Sequence, residues 1–99
     1  MITTKQRAQL RGLAATEDTI LHIGKDGIND NLCKQCWDAL EARELIKVTV
    51  QQNCPMNARE ACGELCERVH AEPVQVIGRK FLIYRQARKD SKIRLEDLR

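Results

Sequence analysis

Hydrophobic residues recur at two different periods along the chain, and the switches between them predict seven elements. Residues 5–15 read as a helix capped by Thr3 and Thr4, with Leu10, Leu13 and Ala14 on one face and Gly12 weakening it slightly. A turn at 17–19 leads to a short strand, 20–23, carrying Ile20, Leu21 and Ile23. Asn29, Asp30 and Asn31 are all helix-capping types, and the helix they open, 31–43, lines up Leu32, Cys33, Cys36, Trp37 and Leu40. Residues 45–51 alternate as a strand, with Ile46, Val48 and Val50 on one face and Lys47 and Thr49 on the other, until Asn53-Cys54-Pro55 breaks it. The third helix, 57–70, has the cleanest period of the chain in Ala58, Ala61, Cys62, Leu65, Cys66 and Val69. Two last strands, 74–77 and 81–85, flank Gly78-Arg79-Lys80 as a hairpin.

The order α-β-α-β-α-β-β predicts an α/β (α+β) fold. Strands joined through helices favour parallel pairing and the terminal hairpin adds an antiparallel strand, giving a four-stranded mixed sheet packed with helices. Ninety-nine residues suffice for one domain with one modest core and hardly for a deep enzyme cleft. The domain is placed at 1–86, and the charged, weakly apolar stretch 87–99 reads as a flexible basic tail. No apolar run approaches membrane-spanning length and the N-terminus lacks the apolar core of a signal peptide, so a cytoplasmic protein with no membrane partner is expected.

The formal net charge is only +3, but its distribution is uneven. Residues 1–16 hold Lys5, Arg7 and Arg11 and no acid. Residues 73–95 hold Arg79, Lys80, Arg85, Arg88, Lys89, Lys92 and Arg94 against Asp90 alone. The middle, 38–72, has seven acids and four bases. Basic ends around an acidic centre suit a polyanion bound on one face.

A candidate place for that polyanion lies between the first strand and the second helix, in Gly24-Lys25-Asp26-Gly27. Glycines allow a positive φ or a close approach of ligand to backbone. The helix that follows presents unpaired N–H groups and the positive end of its dipole, and Lys25 adds a mobile charge. Three aromatics, Trp37, Phe81 and Tyr84, are too few for a base-stacking platform; Trp37 sits on the apolar stripe, while Phe81 and Tyr84 belong on opposite faces of a strand. Nucleic acid would then be held by backbone and shape, which favours structured RNA.

The five cysteines offer a competing chemistry. Cys33-x-x-Cys36 and Cys62-x-x-x-Cys66 have the form of two halves of a four-thiolate zinc site, yet all four fall at apolar positions of amphipathic helices, where cysteine acts as a small buried hydrophobe. The core reading is preferred, with no metal and no cofactor. A zinc-stabilised domain holding a protein partner through the acidic middle helix is the alternative. His22 and His70 have no nucleophile or carboxylate arranged around them in the sequence, so no enzyme is expected, an RNA-modifying one included.

Four stretches together resemble a known family: Thr4-Lys5-Gln6 with Leu10-Arg11; Ile23-Gly24-Lys25-Asp26-Gly27; Leu40-Glu41-Ala42-Arg43-Glu44-Leu45-Ile46-Lys47-Val48; and Val76-Ile77-Gly78-Arg79 with Leu82-Ile83-Tyr84-Arg85. Over about residues 2–86 the chain resembles the bacterial YhbY-type stand-alone CRM domain (chloroplast RNA splicing and ribosome maturation). The resemblance implies a fold like the C-terminal domain of translation initiation factor three, with a glycine loop analogous to that of KH domains. It implies a monomeric, non-catalytic protein that binds ribosomal RNA of the large-subunit precursor and assists ribosome assembly. The expected RNA-binding set is Lys5, Arg7, Arg11, Gly24, Lys25, Asp26, Gly27, Lys47, Arg79, Lys80 and Arg85, with several basic groups converging on Lys25 because the family fold places the first helix and the loop on one side. Asp26, where glycine or a neutral residue is common, and the five cysteines depart from the family pattern.

Overall fold

The computed structural model describes residues 3–14 and 18–85. The expected helix end at Ala15, Glu17 of the expected turn, the side chains of Leu13 and Ala14, and the tail at 87–99 lie outside the described residues. The elements follow the expected order: α1 (Thr4–Ala14), β1 (Thr19–Ile23), α2 (Asp30–Arg43), β2 (Leu45–Val50), α3 (Ala58–Val69), β3 (Glu72–Ile77) and β4 (Lys80–Tyr84).

Helix starts are written locally. Thr3 and Gln6 exchange side-chain to backbone hydrogen bonds at 2.9 and 3.1 Å. Asn29 caps α2 by accepting from the Leu32 N–H at 2.8 Å. Asn57 and Glu60 form a reciprocal capping box on α3. Both of the latter helices end on a non-glycine residue at positive φ, Glu44 at 66° and His70 at 59°. The first lets α2 pass into β2 without a loop, and the Glu44 carbonyl then accepts from the Arg85 N–H at 2.9 Å.

The sheet order is β1-β2-β4-β3. β1 and β2 run parallel, and β4 is antiparallel to both of its neighbours, β2 and β3. The chain leaving β2 through α3 therefore skips one place in the sheet, which β4 fills on its return. As a central strand β4 buries both faces. Phe81 and Ile83 join the core under α2 and α3, while Leu82 and Tyr84 join a second, smaller core with Leu10, Leu45 and Val74. Phe81 and Tyr84 thus do lie on opposite faces. The layers are α1, sheet, and α2 with α3.

Cys36, Cys62 and Cys66 are buried in the larger core, as their helical positions require, and Cys33 is half-exposed beside Arg68. Burial, helped by neighbouring Cys33, pushes the Cys36 thiol up to about 12. A hydrogen bond to Cys62 together with burial holds the Cys66 thiol above its ordinary range. Among the described residues no cluster of His, Cys, Asp or Glu is arranged to hold a metal ion.

Trp37 is only half-buried, because it closes the rim between α2 and α3 instead of entering the core. The Arg85 guanidinium lies over its ring, Cζ 3.9 Å from the centroid. Arg85 also donates to the Val69 carbonyl at 3.0 Å and the Trp37 carbonyl at 3.4 Å, and pairs with Glu41 at 3.1 Å. One side chain from the end of β4 so ties both helices to the sheet. Replacing Arg85 with alanine is expected to cost about 2–4 kcal/mol, from the stack and the charge-assisted bonds together, in urea unfolding. A loss below 0.5 kcal/mol, the size of an ordinary surface change, would contradict the clamp.

Linkage gives a second expectation. A thiol that titrates near 9 unfolded and near 12 folded favours the native state while protonated, and that stability is lost as pH rises between the two values. The slope is about 1.4 kcal/mol per pH unit per proton. The unfolding free energy measured across pH 8–11 should fall less steeply for Cys36→Ala than for the native chain; parallel profiles would refute the shift.

Candidate nucleic-acid interface

Strand direction decides which loops meet. β1 and β2 end together at Ile23 and Val50, β3 ends at Ile77, and β4 begins there at Lys80, paired with both Thr49 and Ile77. Two backbone bonds stitch this end: Gln51 N–H to the Ile23 carbonyl at 2.8 Å and Val50 N–H to the Arg79 carbonyl at 2.7 Å. The glycine loop after β1, the connector after β2 and the hairpin turn after β3 therefore gather at one end of the sheet. It is the carboxyl end of the parallel pair, where α/β folds place their ligands.

Gly24-Lys25-Asp26-Gly27 forms a tight turn closed by Gly27 N–H to the Gly24 carbonyl at 3.0 Å, with Lys25 and Asp26 exposed at its tip. The two glycines have separate reasons. Gly27 sits at φ +66°, in the left-handed region. At Gly24 a Cβ would come within 3.0 Å of the Gln51 Oε1, so a side chain there displaces Gln51. The loop borders an open concavity of about 460 Å³, lined by Lys25, Asp26 and His22 together with Asn31, Gln35, Gln51 and Asn53. Asp30, exposed in the first turn of α2, lies 4.0 Å from the Arg68 guanidinium on α3. Gln51 and Asn53 were missed as site residues in the sequence; their signal was Gln51-Gln52-Asn53 at the end of a strand parallel to β1.

The expected basic residues divide. Arg79 and Lys80 stand exposed at the hairpin turn, at the same end of the sheet as Lys25. Arg11, Lys47 and Lys80 line a second recess, of about 300 Å³, on the α1 face. α1 packs on the face opposite α2, so it does not share a side with the loop, and among the described residues none from α1 lines the loop concavity. Arg7 reaches the Pro73 carbonyl at 3.2 Å, near the start of β3 and so at the far end of the sheet, with Lys5 in the turn before it. Arg85, at the end of β4, is also at the far end, and its side chain is only 12% exposed. The structure brings Lys25, Arg79 and Lys80 to one end, with Arg11 and Lys47 on the adjoining face; it does not bring Lys5, Arg7 or Arg85 there.

Known proteins match the chain over almost its full length. A probable RNA-binding protein of Bacillus subtilis, YqeI, is 40% identical over 95 residues, covering 96% of this chain and 99% of its own. An RNA-binding protein of Haemophilus influenzae is 29% identical over 94 residues, covering 95% of this chain and 94% of its own. The solution structure of a hypothetical protein from Staphylococcus aureus, described as a candidate RNA-binding protein, superposes with a TM-score of 0.81 at 47% identity, covering 97% of this chain and all of that one. Residues 2–85 match the CRS1 / YhbY (CRM) domain, and the chain belongs to that family.

Proposed function

We propose that this protein binds structured RNA at the carboxyl end of its parallel strands, and that the RNA is ribosomal RNA of the large-subunit precursor, bound during assembly in the cytoplasm. The observation that carries the reading is the meeting of the glycine turn, an α-helix N-terminus and the Arg79-Lys80 hairpin at one end of the sheet. The RNA-binding relatives support the ligand class, and the family resemblance supports the ribosomal target. The turn brings backbone N–H groups close to a phosphate, α2 adds its dipole, and Lys25, Arg79 and Lys80 supply mobile cations. The protein acts as a monomer that holds RNA and performs no reaction. Lys5, Arg7 and Arg85 are left out of the binding set on their positions.

Replacing Gly24 and Gly27 together with alanine should leave a folded domain with markedly weaker RNA binding. Lys25→Ala should weaken it about fivefold, or about 1 kcal/mol, as for a partly exposed charge-assisted contact. Equal affinity of the folded double variant and the native chain for a large-subunit rRNA fragment would remove the loop from the site. Crosslinking in cells followed by sequencing identifies the RNA, and recovery of no large-subunit sequence would refute the ribosomal target.

Contacts to about four phosphates should make log affinity fall linearly with log salt at a slope near −3. Arg79→Ala and Lys80→Ala should each flatten it by a little under one unit. Arg85→Ala should lower stability and leave the slope unchanged. An unaltered slope in the hairpin variants would place the phosphates elsewhere.

A further inference from the structure

The recess on the α1 face has a different composition from the loop concavity. Leu10 of α1 packs over Leu45, Val74, Leu82 and Tyr84, toward the far end of the sheet. Closer to the hairpin turn the described residues leave a recess of about 300 Å³. Leu82 forms part of its floor and Ile77, 62% exposed on the edge strand, part of its wall. Gln75 contributes a carboxamide, and Arg11, Lys47 and Lys80 contribute cations. No acidic residue lines it among the described residues.

We propose that this recess takes one unpaired nucleotide of the bound RNA. The inference rests on the RNA-binding reading above and extends it to what the RNA must look like. An aliphatic floor and wall accept the flat face of a base, a carboxamide can donate to and accept from a base edge, and cations fit the flanking phosphates. A recess of this volume is at the small end of ligand sites, so it admits a single nucleotide and excludes a helix. Paired bases in A-form RNA are hidden within the helix, so the occupant must be a bulged or looped-out residue. Lys80 lines this recess and follows Arg79 in the hairpin turn, which stands at the same end of the sheet as the glycine loop. An RNA whose backbone lies on that loop can therefore pass over the turn and present an unpaired nucleotide to the other face. Charge is the ground for choosing RNA over a protein segment: beside the apolar surface of Ile77, Phe81 and Leu82, every charged residue described in the lining is a cation.

The test uses the full chain and two RNA hairpins of identical stem sequence, one fully paired and one with a single-nucleotide bulge, compared by fluorescence anisotropy at one salt concentration. The native chain should prefer the bulged RNA by about five- to tenfold, in line with one accommodated base. Ile77→Ser with Gln75→Ala, both on the edge strand, should reduce that preference to less than twofold and leave affinity for the paired RNA unchanged. Gly24→Ala with Gly27→Ala should weaken both RNAs alike and keep their ratio. In NMR titrations the backbone amide signals of Gln75, Ile77 and Leu82 should move with the bulged RNA and stay in place with the paired one. Equal affinity of the native chain for the two RNAs, with the glycine variant weak on both, would overturn the nucleotide recess and leave the RNA-binding reading standing. No binding of either RNA would overturn both. Movement of the same signals with an acidic, leucine-containing peptide but not with bulged RNA would assign the recess to a protein partner and overturn the proposal.

Discussion

The insertion of β4 between β2 and β3 sets the arrangement on which the rest of the molecule depends. Because β4 runs against both neighbours, the hairpin turn is forced to the end of the sheet where β1 and β2 stop. A return on the outside of β3 would have left the β2 edge without a partner and moved Arg79 away from the Val50 amide that its carbonyl now accepts. The same insertion requires apolar side chains on both faces of β4, and Phe81, Leu82, Ile83 and Tyr84 are buried in succession. Only Lys80, the first residue of the strand, is exposed. A strand with one cationic end and four buried residues is thus both the centre of two cores and the carrier of a surface charge.

Among the described residues, Arg85 and the Arg79–Lys80 pair show two uses of cations that composition does not distinguish. Arg85 lies against an indole face with two carbonyls and a carboxylate as partners, so its charge stabilises the joint between two helices and the sheet. Arg79 and Lys80, six and five residues earlier, are exposed. Arginine suits the first use because its planar group stacks and donates in several directions at once. Lys25, on a turn tip with an acid beside it, acts as a compact charge that a partner can approach from several sides.

Element order, the burial of Ala58, Ala61, Cys62, Leu65, Cys66 and Val69, and the glycine loop were legible because each depends on local spacing. Strand order was less so, since helical crossovers indicate parallel direction and say nothing about a later strand inserting between two earlier ones. The placement of α1 on the face opposite α2 was also hidden. The stripe around Leu10 shows that one side of the helix is buried and not against which face of the sheet. The convergence of Lys5 and Arg7 with Lys25 was expected from the family resemblance instead, and the position of α1 on the other face separates them. Arg85 was illegible for another reason: its partners, Trp37 and Val69, are distant in sequence and two of its bonds go to backbone carbonyls.

The contact between the glycine turn and the chain after β2 bears on how portable the loop is. A Cβ at Gly24 would meet the Gln51 side chain and one at Gly27 would lie 3.9 Å from the Pro55 ring, while the Cys54 N–H closes its own turn onto the Gln51 carbonyl at 3.1 Å. The four-residue turn is therefore shaped from beneath by a second segment, 51–57, that leads into another helix. A designer grafting Gly24–Gly27 alone onto a foreign strand–helix junction would transfer its sequence without its support. The transplantable unit is the pair of segments with the β1–β2 ends that hold them side by side.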